Sequence, residues 1–222
     1  VSIRVAVAVG LPLVWSNAVV PRLPEDMRAR TLINVCAATG YATAFGTRPN
    51  WCSARGWRAG LGGAALVAAG YSVALTIPAV RRELAQRPDR APGVSTAEWV
   101  GVHIPLGTVF SEELIFRATL DPLLDTAFGP RLATLLGATT FGLWHIAPAR
   151  ATGENVPVTV AVTAAAGVLF GLLRRHTGSA TAPAMLHWAI NGGGAGVTRW
   201  GLRSPGGSAA SARLRRLGCR RR

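Results

Sequence analysis

The chain contains no lysine: all 24 of its basic residues are arginine. That excludes Schiff-base chemistry on a lysine amine and a phosphate-binding loop ending in Gly-Lys-Ser/Thr. Cysteine is scarce as well. Cys36, Cys52 and Cys219 share no metal-type spacing and cannot all pair with one another, which argues against a disulfide framework and a structural zinc site. Cys219 is followed only by arginines, where a prenylation box needs aliphatic residues. Charge is sparse: charged residues make up 15% of the 222, against 50% apolar, and the mean hydropathy is +0.31. This balance excludes a disordered chain and runs against an ordinary soluble domain.

The apolar residues are bunched. Seven blocks stand out, at 1–20, 31–46, 59–80, 97–120, 132–149, 156–173 and 179–200. Blocks near the ~20 residues needed to cross a bilayer predict an all-α fold, a polytopic transmembrane helix bundle of about seven to eight spans. Gly60-Leu61-Gly62-Gly63 suits close helix packing in lipid. Arg4 before the first apolar run has the look of a signal peptide, but with so many blocks following, a retained first helix is expected.

The net charge of +14 would suit nucleic acid, yet the arginines lie in the gaps between blocks and in the tail. A nucleic-acid module would align them on one face with stacking aromatics, so no nucleic-acid partner is expected. Most of the gap arginines sit in the first, third and fifth gaps: Arg22, Arg28 and Arg30, then Arg81, Arg82, Arg87 and Arg90, then Arg150. The tail, taken from Arg199, falls on the same side. The positive-inside rule then predicts a multi-pass cell-membrane protein with a cytoplasmic C-terminal tail drawn to anionic lipid.

The fourth block is interrupted by Ser111-Glu112-Glu113-Leu114-Ile115-Phe116-Arg117. Each such charge costs about 2.5–3.5 kcal/mol at the centre of a membrane helix, so these side chains must face protein or a wet cavity. Glu113 and Arg117 stand at i, i+4 with the acid first, the favourable order for an ion pair. Glu112 projects ~100° away and has no local partner. Downstream, Phe141 and His145 share a helix face, and so do His187 and Asn191. A Glu, two His and an Asn on three helices predict one polar pocket able to hydrolyse a peptide bond without a covalent nucleophile. A carboxylate taken out of bulk water can accept a proton from water near neutral pH, with His145 orienting that water. His187 and Asn191 offer donors to the tetrahedral oxyanion. Ser111 lacks a Gly-x-Ser-x-Gly turn. The alternative is a zinc site on Glu112, His145 and His187, although no His-Glu-x-x-His helix is present.

Glu-Glu-x-x-x-Arg, Phe-x-x-x-His and His-x-x-x-Asn, in that order and in late apolar blocks, resemble the CPBP family. These are intramembrane proteases that include the CAAX prenyl endopeptidases and bacteriocin-processing or self-immunity proteins. The resemblance covers roughly residues 97–194. It implies a membrane-embedded endopeptidase in which Glu112 activates water with help from His145. Glu113 and Arg117 would brace the site, and His187 with Asn191 would stabilise the oxyanion. The expected partners are a membrane protein or peptide substrate and the lipid bilayer. The expected organisation is a single integral-membrane domain: N-terminal transmembrane helices over 1–96, catalytic core helices over 97–200, and a basic tail over 201–222. No cofactor is expected, with zinc as the alternative. A non-catalytic membrane scaffold or immunity protein binding peptides in the same pocket is the rival from another class.

Other features read as structural. His103 is expected to face another helix or the interface, and His176 the interface. Gly192-Gly193-Gly194 reads as a flexible or tightly packed helix segment. Trp144 and Trp188, adjoining the histidines, are candidates for shaping a substrate groove.

Overall fold

The structure, a computed structural model, describes residues 2–86 and 93–203, and every regular element among them is a helix. Helix α1 begins as Ile3–Val14 and continues through a π-helical turn, Trp15–Val19, and a 3-10 turn, Val20–Arg22. Then follow α2 (Met27–Ala44), α3 (Ala54–Thr76) and α4 (Pro78–Gln86). A long helix, α5, spans 96–128 and α6 spans 130–144. The short α7 (Ile146–Thr152), α8 (Val156–Thr177) and α9 (Thr181–Arg203) complete the bundle. Arg87, Arg90, Cys219 and the arginines from Arg213 to Arg222 lie outside the described residues. Cys36 and Cys52 are free and exposed.

Local chemistry sets the helix ends. The side chains of Asp26, Ser53, Ser95 and Asn155 each accept from the backbone N–H three residues on, at 2.7, 3.1, 3.1 and 3.0 Å. Each cap satisfies a donor that the first turn leaves open. Gly129 (φ 72°), followed by Pro130, separates α5 from α6 in a conformation that a side chain would resist.

Three helices have the length and mean hydropathy to cross a membrane: Ile3–Arg22 (1.7), Ala54–Thr76 (1.5) and Val156–Thr177 (2.1). Their large apolar residues point outward at helical spacing, as in Ile3, Val7, Leu11 and Val14 on α1 and Val158, Val162, Leu169 and Leu172 on α8. An outward apolar stripe on so many helices is the pattern of a lipid-facing surface. The other expected blocks are also helical but carry charges or breaks. The 132–149 block is not one continuous helix, because it turns at His145 (φ −89°, ψ 6°). Pro148 explains the turn: it has no N–H to give Trp144, and its ring would strike that carbonyl in an unbroken helix.

The broadest contacts are α3 with α9 and α6 with α8. Both depend on close approach. A Cβ on Gly60 would stand 2.7 Å from Met185 Sδ, and one on Gly193 would stand 2.5 Å from the Tyr71 ring. The Tyr71 hydroxyl donates to Ile190 O at 2.8 Å, so the three-glycine run is a packed helix surface. Between α6 and α8, a Cβ on Gly142 would meet Val160 O at 2.7 Å and Ala164 Cβ at 3.0 Å.

Gly142→Ala should therefore wedge α6 from α8 and destabilise the protein by about 1–3 kcal/mol. Gly62→Ala, which meets nothing within 4 Å, should be neutral or stabilising by up to about 1 kcal/mol. Unfolding in detergent, monitored by helical circular dichroism, compares the two directly.

Candidate active site

Helix α5 carries the charged cluster, and it is not a regular α-helix. It runs π-helical over Trp99–Phe110, α-helical over Ser111–Glu113 and π-helical again over Leu114–Leu120. Widened turns of this kind are rare and concentrate at functional sites. Ser111 and Thr119 donate from their hydroxyls to Leu106 O (2.9 Å) and Leu114 O (2.8 Å), five residues back. The hydroxyl of Ser111 is thereby used in the helix.

Glu112 and Glu113 are both buried and face different neighbours. Glu113 Oε1 accepts from His187 Nδ1 at 2.8 Å, and its Oε2 lies 3.5 Å from Arg117 Nε. Glu112 Oε2 lies 4.0 Å from His145 Nε2 and has no hydrogen-bond partner. It faces a cavity of about 110 Å³ lined by Trp15, Ser16, Asn34, Ser111, Trp144 and others. His145 Nδ1 donates to Phe141 O at 2.7 Å. Because a carbonyl only accepts, Nδ1 carries the proton, and a neutral His145 turns the lone pair of Nε2 towards Glu112. Phe141 stands edge-on to both imidazoles, with centroids 4.8 Å from His145 and 6.2 Å from His187.

The residues named from the sequence thus form two adjacent groups: Glu112 with His145, and Glu113 with His187 and Arg117. Asn191, one turn beyond His187, is partly exposed and makes no hydrogen bond among the described residues. His187 stacks on Phe170, at 5.1 Å and 26°. The three residues of the zinc alternative, Glu112, His145 and His187, do not gather into one ligand cluster. Among the described residues, no three His, Cys, Asp or Glu side chains could hold a metal ion.

Arg117 is fully buried. Its guanidinium lies 4.8 Å from the Phe141 ring centre and 5.7 Å from those of Phe116 and Phe170. Its other face reaches Asp121, at 3.4 Å. Asp121 in turn lies 3.8 Å from Arg174, and Arg174 and Arg175 both bind Asp125. Asp121, Asp125, Arg174 and Arg175 are not among the site residues expected from the sequence. The signal was present in the i, i+4 steps from Glu113 to Arg117, Asp121 and Asp125.

The remaining candidates fall elsewhere. Buried His103 bonds through Nδ1 to Thr31 Oγ1 (2.8 Å) and through Nε2 to Glu98 (3.2 Å), which also pairs with Arg28. His176 is exposed. Trp188 donates to Val100 O at 3.0 Å and borders an apolar groove of about 300 Å³ with Trp51, Trp57, Phe110 and Met185.

Residues 95–193 match the family model described as Type II CAAX prenyl endopeptidase Rce1-like. This segment is similar to that family. The Rce1-like domain runs from the cap of α5 into α9 and encloses every motif residue from Glu112 to Asn191. The family is one of proteases, which supports a peptidase, and the family together with the three apolar helices supports a membrane protein. No curated protein and no solved structure matches the chain.

Within the Rce1-like domain, Asp121→Ala would leave Arg117 buried with one carboxylate, a change expected to cost about 3–5 kcal/mol. Reversible unfolding in detergent should show that loss, with Asp121→Asn falling between the two.

Proposed function

We propose that the protein is an intramembrane endopeptidase that hydrolyses a peptide bond in a membrane-associated protein or peptide. The observation that carries this reading is the buried Glu112 Oε2, without a hydrogen bond, lying 4.0 Å from His145 Nε2. Two acceptors at that separation can share one water, each taking one of its O–H bonds. As the water oxygen attacks the scissile carbonyl carbon, its proton passes to the Glu112 carboxylate. The carbonyl electron pair moves to oxygen, giving a tetrahedral oxyanion. On collapse the C–N bond breaks, and the leaving nitrogen takes the proton back from Glu112.

Oxyanion stabilisation falls to His187 and Asn191. With Nδ1 bonded to Glu113, His187 donates from Nε2 only when the Glu113–His187 pair holds two protons between them. Glu113 therefore sets the protonation of the oxyanion donor, and Arg117 holds Glu113 in place. The reading is metal-free, supported by the failure of Glu112, His145 and His187 to form a metal-ligand cluster among the described residues. The bundle is multi-pass in this proposal, its arginine-rich C-terminal side facing the cytoplasm.

In native membranes, mass spectrometry of membrane and released peptides should find peptide ends present with wild type and absent with Glu112→Gln and His145→Ala. Loss of the general base is expected to reduce cleavage by about 10²- to 10⁴-fold. Identical peptide sets at equal protein levels would instead favour a non-catalytic peptide-binding role. Activity lost together with stoichiometric zinc on chelation would overturn the metal-free reading.

A further inference from the structure

The turn that places His145 opens the helix hydrogen-bond ladder at two points. In an unbroken helix, Ala147 N–H would donate to Leu143 O, and residue 148 would donate to Trp144 O. Pro148 has no N–H to give. Both points are closed by the first helix, which lies outside the Rce1-like segment. Ser16 Oγ donates to Trp144 O at 2.6 Å. Asn17 Nδ2 donates to Leu143 O at 3.0 Å, and its Oδ1 accepts from Ala147 N at 2.9 Å. Asn17 is thus inserted into the very bond that a continuous helix would make, and inserted side chains are a recognised cause of sharp helix kinks. Its second amide hydrogen is taken by Leu13 O at 3.1 Å, so every polar group of the side chain is satisfied. Both residues sit in the π-helical turn Trp15–Val19, and Ser16 is 2% exposed.

We infer that Ser16 and Asn17 are positioning residues for His145, acting as a wedge that keeps α6 and α7 apart at the site. The wedge holds the His145 backbone so that Nε2 faces Glu112 while Nδ1 bonds to Phe141 O. Without Asn17, Ala147 N–H can close directly onto Leu143 O, extending α6 and rotating His145 away from Glu112. A pair of polar residues in an otherwise apolar span thereby acquires a specific task, and α1 becomes part of the catalytic unit.

The consequence for rate rests on the proposed hydrolase, but the effect on His145 does not. The full chain, labelled with [15N]histidine, has only four imidazoles, and His145 is assigned by its loss in His145→Gln. In wild type, His145 should appear as the Nδ1–H tautomer. In Asn17→Ala it should move to a mixture of tautomers while the His103 and His187 signals stay in place. Cleavage should fall by about 100-fold through kcat, the scale expected for a displacement of about 1 Å in a reacting group. Ser16→Ala, which removes one bond, should move His145 in the same direction by less, and it carries the test if Asn17→Ala does not accumulate. An unchanged His145 signal in folded variants overturns the inference. A shifted signal in a protein whose wild type cleaves nothing sustains the wedge and sinks the hydrolase.

Discussion

A guanidinium with no exposed surface is the constraint on which this bundle depends. Burying a guanidinium without partners costs several kcal/mol, a large share of a domain's stability. The fold answers with carboxylates one turn before and one turn after, Glu113 and Asp121, and with the faces of Phe116, Phe141 and Phe170. Each answer imposes a further requirement. Glu113, committed to Arg117, holds His187. Asp121 needs room that only a missing side chain gives, since a Cβ on Gly137 would stand 2.6 Å from its Oδ1. Arg174, Arg175 and Asp125 then carry the alternation of charge towards the end of α8, where side chains are partly exposed and the cost of charge falls.

Adjacent glutamates end in opposite circumstances because neighbouring residues on a helix face different sides. Glu113 is paired and belongs to the scaffold. Both have an Oε2 without a hydrogen bond, but Glu113 also holds His187 and lies beside Arg117, whereas Glu112 makes no hydrogen bond among the described residues and faces a small cavity. An unsatisfied buried carboxylate works against stability.

Much of this was legible in the sequence. The i, i+4 spacing of Glu113 and Arg117 announced their pairing, the offset of Glu112 announced its lack of a local partner, and the bunched apolar residues announced helices. Other features left no local trace. The π-helical course of α5 has no compositional signature, and the commitment of His187 to Glu113 depends on how α9 meets α5. Asp121 and Asp125 continue a visible four-residue repeat, but their value comes from Arg174 and Arg175, some 50 positions away. The break at His145 was foreshadowed by Pro148. The residues that fill it, Ser16 and Asn17, lie in another apolar block and look incidental until the backbone groups they satisfy are counted. Charges and breaks in several blocks leave three helices, α1, α3 and α8, with the length and hydropathy of membrane spans among those described.

The division of labour between the two carboxylates is tested most directly by measuring unfolding free energy and peptide turnover on the same purified preparations of wild type, Glu112→Gln and Glu113→Gln in lipid nanodiscs. The account predicts that Glu112→Gln abolishes turnover while leaving stability equal or higher, and that Glu113→Gln lowers stability by weakening the support of Arg117 and His187. A stable Glu113→Gln beside a destabilised Glu112→Gln that still cleaves would contradict it.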